Sequence, residues 1–237
     1  MDVIALHPQL HFLRFPVGHA YLWAGTDGLT LVDTGLPGSA PAIADAIRGL
    51  GHSPADLRRL VLTHAHHDHV GSVPEILEWS TDLTVLAHFA DAPAIRVEET
   101  VPPPRLEDWE RPIYDQVNSS IPAAEPVPVR VDREVDDGDA VDLGGTSAIV
   151  LSVPGHTPGS LALFLPKPGV LFTGDTVARS PRGDVIPGVF NHDPAQTRGD
   201  LHRLAALDAE IACFGHGEPA TKDAALELRA AAERPGP

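Results

Sequence analysis

A single cysteine, Cys213, excludes an internal disulfide framework and fits a reducing cytoplasm. In the apolar run 211–214 it reads as a small buried hydrophobe. Basic residues are also scarce: 17 Lys and Arg stand against 33 Asp and Glu, a net charge of −16. Such a chain repels polyanions, which argues against nucleic acid or an anionic membrane as a partner but leaves room for a small anionic substrate drawn to a cation. No apolar run approaches the ~20 residues of a spanning helix. Residues 1–14 lack a basic segment followed by a long apolar one, so no secretory leader is expected. At 43% hydrophobic and 21% charged over 237 residues, the composition is that of a globular chain able to bury a core.

What the sequence does have is histidine in one place. Four of its 13 histidines fall within residues 64–69, in the order His64, His66, His67, His69, with Asp68 among them, directly after an apolar run. In a helix His64 and His66 would point to nearly opposite sides, whereas an extended or looped backbone aims residues two apart the same way. A turn leaving a strand therefore suits the spacing better than a helical His-Glu-x-x-His arrangement. Such a turn can offer two imidazoles to one metal and the Asp68–His69 pair to a neighbouring one.

The remaining chain alternates strand-like and helix-like segments, as layered α/β domains do. Short strands are expected in residues 3–23, then a strand at 29–32 leading to Asp33, which either shapes the turn or orients a metal-binding histidine. His7, His11 and His19 lie here without a partner motif and read as surface or strand-face residues. A helix at 39–50 stopped by Gly51, a strand at 59–63, a capped helix at 73–79 and a strand at 84–87 follow. Prolines crowd residues 91–137, which reads as an insertion within a single domain spanning 1–237, because the ligand candidates lie on both sides of it. Within it, a helix at 106–117 carries Trp109, Ile113 and Tyr114 on roughly one face, a stripe that reads first as packing and, in an insertion beside a site, alternatively as a lid. Strands at 147–153, 161–165, 170–172 and 211–214 are expected beyond it, with helices at 194–207 and 221–232. Residues 179–193 read as a surface loop, with Phe190, Asn191 and His192 joining Trp109 and Tyr114 as candidate pocket residues.

Five times an apolar strand runs into a tight turn bearing Asp or His: Asp33, the 64–69 cluster, His156, Asp175 and His216. In sheet proteins covered by helices, sites gather at one end of the strands, so these turns are expected to converge.

The pattern resembles the metallo-β-lactamase superfamily of hydrolases. The match is His64, His66, Asp68 and His69, then His156 in Pro-Gly-His-Thr-Pro-Gly-Ser, Asp175 in Thr-Gly-Asp-Thr and His216 in Gly-His-Gly. The resemblance implies a four-layer αββα sandwich, an α/β fold with its site along one edge. It implies two divalent ions, zinc ahead of iron or manganese. His64, His66 and His156 would hold one, Asp68, His69 and His216 the other, and Asp175 would bridge them. A hydroxide shared by the ions would attack a carbonyl, with Asp68 orienting the water, while His67 points away.

Departures from subgroup patterns narrow the substrate. True β-lactamases of the superfamily lack the bridging aspartate present here as Asp175. Glyoxalase II enzymes add a C-terminal helical region, and 21 residues follow His216. Acyl-homoserine lactonases carry a tyrosine three residues after the bridging aspartate, where this chain has Ala178. The resemblance therefore implies hydrolysis of a small ester, thioester or lactone. The alternatives are a persulfide dioxygenase-like oxidoreductase using one iron and a non-catalytic binding module. Oligomeric state, a homodimer included, is left open.

Overall fold

The computed structural model describes residues 1–120 and 125–234. A seven-stranded sheet is built in chain order from β1 (Asp2–His7), β2 (Leu10–Arg14), β3 (Ala20–Ala24), β4 (Leu29–Val32), β5 (Leu57–Val61), β6 (Thr84–His88) and β7 (Arg133–Val135). Its first four strands are antiparallel neighbours, and from β4 to β7 the pairing is parallel. Parallel strands need crossovers. These are α1 (Ala40–Gly49), the short turns α2 (His67–Val70) and α3 (Val73–Ile76), and, between β6 and β7, α4 (Ala92–Ile95) and α5 (Arg111–Ser120).

The second half forms a five-stranded sheet from β8 (Ala140–Asp142), β9 (Ser147–Ser152), β10 (Leu161–Leu165), β11 (Val170–Phe172) and, beyond a ribbon of β12 (Val177–Arg179) and β13 (Val185–Pro187), β14 (Ile211–Cys213). Its order is β14-β11-β10-β9-β8. Helices α6 (Pro194–Ala205) and α7 (Ala224–Ala232) flank β14 in the chain.

Alternation of side chains along each strand sets the layers. In β3, Tyr21 and Trp23 enter the core between the sheets, while Ala20 and Leu22 face α1. In β10, Leu161, Leu163 and Leu165 enter that same central core and Ala162 faces the α6–α7 layer. The order is thus helix, sheet, sheet, helix. Trp23 and Phe172 are fully enclosed between the sheets, where truncating an aromatic costs about 3–5 kcal/mol.

Several expected boundaries shift. The 73–79 helix stops at Ile76, and Ser72 makes no cap. Its hydroxyl donates to Leu36 O and accepts from Ser39 N, tying this turn to the start of α1. The insertion is narrower than 91–137, because Arg133–Val135 pairs with β6 and Val129 and Val131 belong to the core. Its helix begins at Arg111 rather than 106, leaving Trp109 and Ile113 exposed. The stretch 179–193, expected as loop, carries strand β13. The C-terminal helix starts at Ala224, after Asp223 in the left-handed region. No helix among the described residues is long and apolar enough to cross a membrane.

Candidate metal centre

Strands β4, β5 and β6 run parallel, and β9, β11 and β14 share one direction because β10 is antiparallel to both β9 and β11 while β14 is parallel to β11. Six turns therefore leave the C-terminal ends of their strands: those bearing Asp33, residues 62–69, Asp91, His156, Asp175 and His216. A backbone bond from Leu161 N to Thr63 O (2.9 Å) ties one sheet to the other, and bonds from Gly215 N to Gly174 O (3.0 Å) and from Thr34 N to His69 O (2.7 Å) join neighbouring turns within each sheet.

All seven sequence-predicted residues meet. Three groupings, His64 with His66 and His156, His64 with His69 and Asp175, and Asp68 with His69 and His216, each place donor atoms within 4.8 Å of one another. His156 Nε2 lies 2.9 Å from His66 Nδ1. Asp175 Oδ2 is 3.6 Å from His156 Nε2 and 3.1 Å from His216 Nε2, so one carboxylate reaches both halves of the cluster. Asp68 Oδ2 is 3.2 Å from His216 Nε2. His67 is exposed and takes no part.

The backbone is partly extended and partly helical here. His66 is extended, which aims His64 and His66 together, and a helical turn from His67 to Val70 then brings in Asp68 and His69. The loop alone expected from the spacing is half of the answer. Close approach elsewhere depends on glycine. Gly18 packs on the Asp68 backbone, and Gly215 lies against the Asp175 carboxylate and the His69 ring, where a Cβ has no room.

The rings of His69 and His156 are oriented from behind. Asp33 Oδ2 accepts from His69 Nδ1 at 2.8 Å and from Thr63 Oγ1 at 2.7 Å, while Oδ1 accepts from Thr63 N at 2.8 Å. Of the two roles open to Asp33 in the sequence, orienting a histidine is the one its contacts support. Asn191, a candidate pocket residue, contacts His156 Nδ1 at 3.2 Å through Oδ1 and donates to Gly188 O. Phe190 packs on Tyr114, and His192 reaches His156 O through its backbone N–H.

Two participants were missed. Asp91 accepts from Ala65 N (2.8 Å), Thr157 Oγ1 (2.7 Å) and Gly159 N (2.6 Å), joining the two ligand-bearing turns of opposite sheets. Its signal was present, an acid just past a strand, but the following proline texture hid it. His19, expected on a surface or strand face, is buried beside His216 with ring centroids 6.5 Å apart. It precedes its strand, so no strand-then-turn pattern marks it.

The electrostatics divide the cluster. Burial lowers the pKa of His64 far below its usual range, that of His66 to about 3 and that of His156 to a lesser extent, so all three are neutral and ready to coordinate. Burial also disfavours protonation of His69 and His216, but the carboxylates of Asp175 and Asp68 outweigh it. They raise His69 well above its ordinary value and His216 to about 10.

The residues fit a metal. His64 Nε2, His69 Nε2 and Asp175 Oδ1 are buried and make no aligned hydrogen bond among the described residues, and an unsatisfied buried polar atom is costly unless something holds it. All three point into the cluster, and a nitrogen and carboxylate donor set of this kind suits zinc, iron or manganese.

Comparison with known proteins agrees. The profile of the Metallo-beta-lactamase superfamily matches residues 13–216. A probable metallo-hydrolase of Bacillus subtilis, YflN, is 29% identical over 90% of this chain and 85% of its own length. A hydroxyacylglutathione hydrolase of Aeromonas hydrophila is 32% identical over 88% of this chain. The chain spans only 65% of that relative, and 55% and 61% of two further hydroxyacylglutathione hydrolases. Among solved structures, a metallo-beta-lactamase family protein of Thermus thermophilus superposes with a TM-score of 0.69 at 25% identity, covering 95% of this chain and 80% of its own. The Rm3 metallo-beta-lactamase reaches 0.74 at 21%, covering 98% and 91%.

A helix-sheet-sheet-helix sandwich with histidines and aspartates converging at one edge defines a class of metal-dependent hydrolases. This chain belongs to the metallo-beta-lactamase superfamily, and hydrolase activity is what its relatives support.

Proposed function

We propose that the protein hydrolyses a small ester, thioester or lactone with the help of two divalent metal ions, zinc foremost. The observation that carries this reading is Asp175, whose carboxylate lies within 4 Å of His64, His69, His156 and His216 at once. His64, His66 and His156 would hold one ion and Asp68, His69 and His216 the other, with Asp175 shared. Bound there, the ions would make hydroxide available near neutral pH and offer positive charge to the oxyanion of an attacked carbonyl.

The chain's own residues do the rest. Asp68, with Oδ2 3.2 Å from His216 Nε2, would orient the attacking water. Burial works against the Asp68 anion, but the neighbouring His69 and His216 more than compensate and keep it ionised. Asp33 and Asn191 hold the rings of His69 and His156 in place, so little reorganisation remains when the reaction begins. Thioesters as substrates draw support from the hydroxyacylglutathione hydrolases among the relatives.

Metal quantification on protein purified without added metal, paired with turnover on a panel of thioesters, lactones and aryl esters, tests the reading. Two zinc or manganese per chain with acyl hydrolysis is the expected result. One iron per chain with oxygen uptake and no acyl hydrolysis would overturn it in favour of an oxygen-activating oxidoreductase, and metal-free inert protein would leave only a binding role. Asp175→Ala is expected to lose the paired occupancy; two ions retained in that variant would contradict the shared carboxylate.

A further inference from the structure

A cavity of about 680 Å3 lies between the β12–β13 ribbon, α6, the end of α7 and the start of the insertion. None of the seven ligand candidates lines it. Its floor is apolar, with Val185 and Leu201 buried, and its mouth carries Trp109 and Ile113, which are 43% and 45% exposed. The volume is that of a small-molecule site, and large apolar groups left in water at its mouth gain burial when a ligand covers them.

The charges at the wall are unlike those of the molecule as a whole. Three acids line it, and each is engaged. Glu107 pairs with Arg198 at 3.5 Å and Asp184 with Arg234 at 3.2 Å. Glu110 is buried and accepts from the backbone N–H groups of Phe190 and Glu107, both at 2.8 Å. Arg182, exposed and also lining the cavity, has no ion pair or hydrogen bond among the described residues. In a chain of net charge −16, the uncommitted charge here is positive. A guanidinium with free N–H groups matches a carboxylate in geometry as well as charge.

We propose that this cavity is a second small-molecule site, separate from the metal cluster, for a compound with an apolar body and one carboxylate end. The body lies on Val185 and Leu201 beneath Trp109 and Ile113, and the carboxylate pairs with Arg182. The site adjoins the cluster through Asn191, which lines the cavity and contacts His156. It stands whether or not the chain hydrolyses acyl compounds.

The test titrates octanoate into the purified full chain, with tryptophan fluorescence and calorimetry as readouts and octanol as the uncharged probe of equal length. Octanoate is expected to bind saturably at one per chain, with a fluorescence change that disappears in Trp109→Phe. Arg182→Ala, a change at an exposed residue, should weaken octanoate roughly two- to five-fold while leaving octanol unaltered. Ile113→Asp, also exposed, should weaken both. Absence of saturable binding, or full octanoate affinity in Arg182→Ala, overturns the proposal. So does binding that survives Ile113→Asp and vanishes in His66→Ala, since the acid would then sit at the metal cluster.

Discussion

Asp33 adopts φ 60°, in the left-handed region that non-glycine residues seldom enter. From there its carboxylate reaches Thr63 and His69, so a local backbone cost is exchanged for orientation of an imidazole. Asp33→Ala removes that hold without touching the cluster itself. Loss of such a supporting carboxylate typically costs about 10–100-fold in metal affinity, and competition against a chromophoric chelator should show that loss confined to one ion of the proposed pair. A second expectation concerns protons. In the metal-free protein at neutral pH, His69 and His216 are protonated, because their pKa values are raised, whereas His64, His66 and His156 are neutral. Metals bind neutral imidazole. Loading the Asp68, His69 and His216 side must therefore expel protons, and its apparent affinity rises as pH rises toward about 10. The three-histidine side stays flat across the neutral range. Metal titrations at several pH values, with proton release followed in weak buffer, check the contrast; equal pH dependence of the two sides would refute it.

At the scale of elements, the site depends on how two sheets are fastened at one edge. Asp91, just beyond β6 of the first sheet, holds the turn that carries His156 at the end of β9 in the second. Burial raises its pKa, opposed by the bonds from Thr157, Ala65 and Gly159. Asp91→Ala leaves those buried donors unpaired, at about 3 kcal/mol in total, a drop in melting temperature of roughly 6–12 °C for a chain of this size. Metal affinity should fall with it, because His156 loses its fixed turn, and calorimetry with and without metal separates the two effects. The insertion is fastened in a similar way: Glu110 accepts from Phe190 N, Arg105 N donates to Asn191 O and Tyr114 packs on Phe190. The insertion, for which packing and a lid were the two readings open in the sequence, is thus clamped to the loop that orients His156.

For the whole molecule, the net charge of −16 and a pI of about 5.0 act on every approaching ligand. An anionic acyl substrate must cross a repelling field before it meets the cluster. Raising ionic strength screens that field, so kcat/KM for an anionic thioester is expected to rise with salt while that for a neutral aryl ester stays level. A fall with salt for the anionic substrate would instead indicate a locally attractive path to the site. The layered packing explains why the site is stiff enough to matter: the two sheets share one enclosed core reaching from Leu10 to Cys213, and each outer face is covered by its own helices.

Most of the strands, though not β7, β8, β12 or β13, were legible in the sequence, as were the strand-then-turn placement of Asp33, His156, Asp175 and His216 and the donor set of residues 64–69. Side-chain alternation and turn chemistry are local properties, written in consecutive residues. Which residues stand behind the donors was not. Asp91 and Asn191 act on partners 26 to 68 residues away, and His19 comes beside His216 only through the pairing of distant strands. The helix starting at Arg111 rather than 106 and the β12–β13 ribbon were likewise settled by what packs on them. Such contacts depend on how two sheets stack, which no local pattern encodes, so the donors could be read from the sequence whereas their supports and the neighbouring cavity required the tertiary structure.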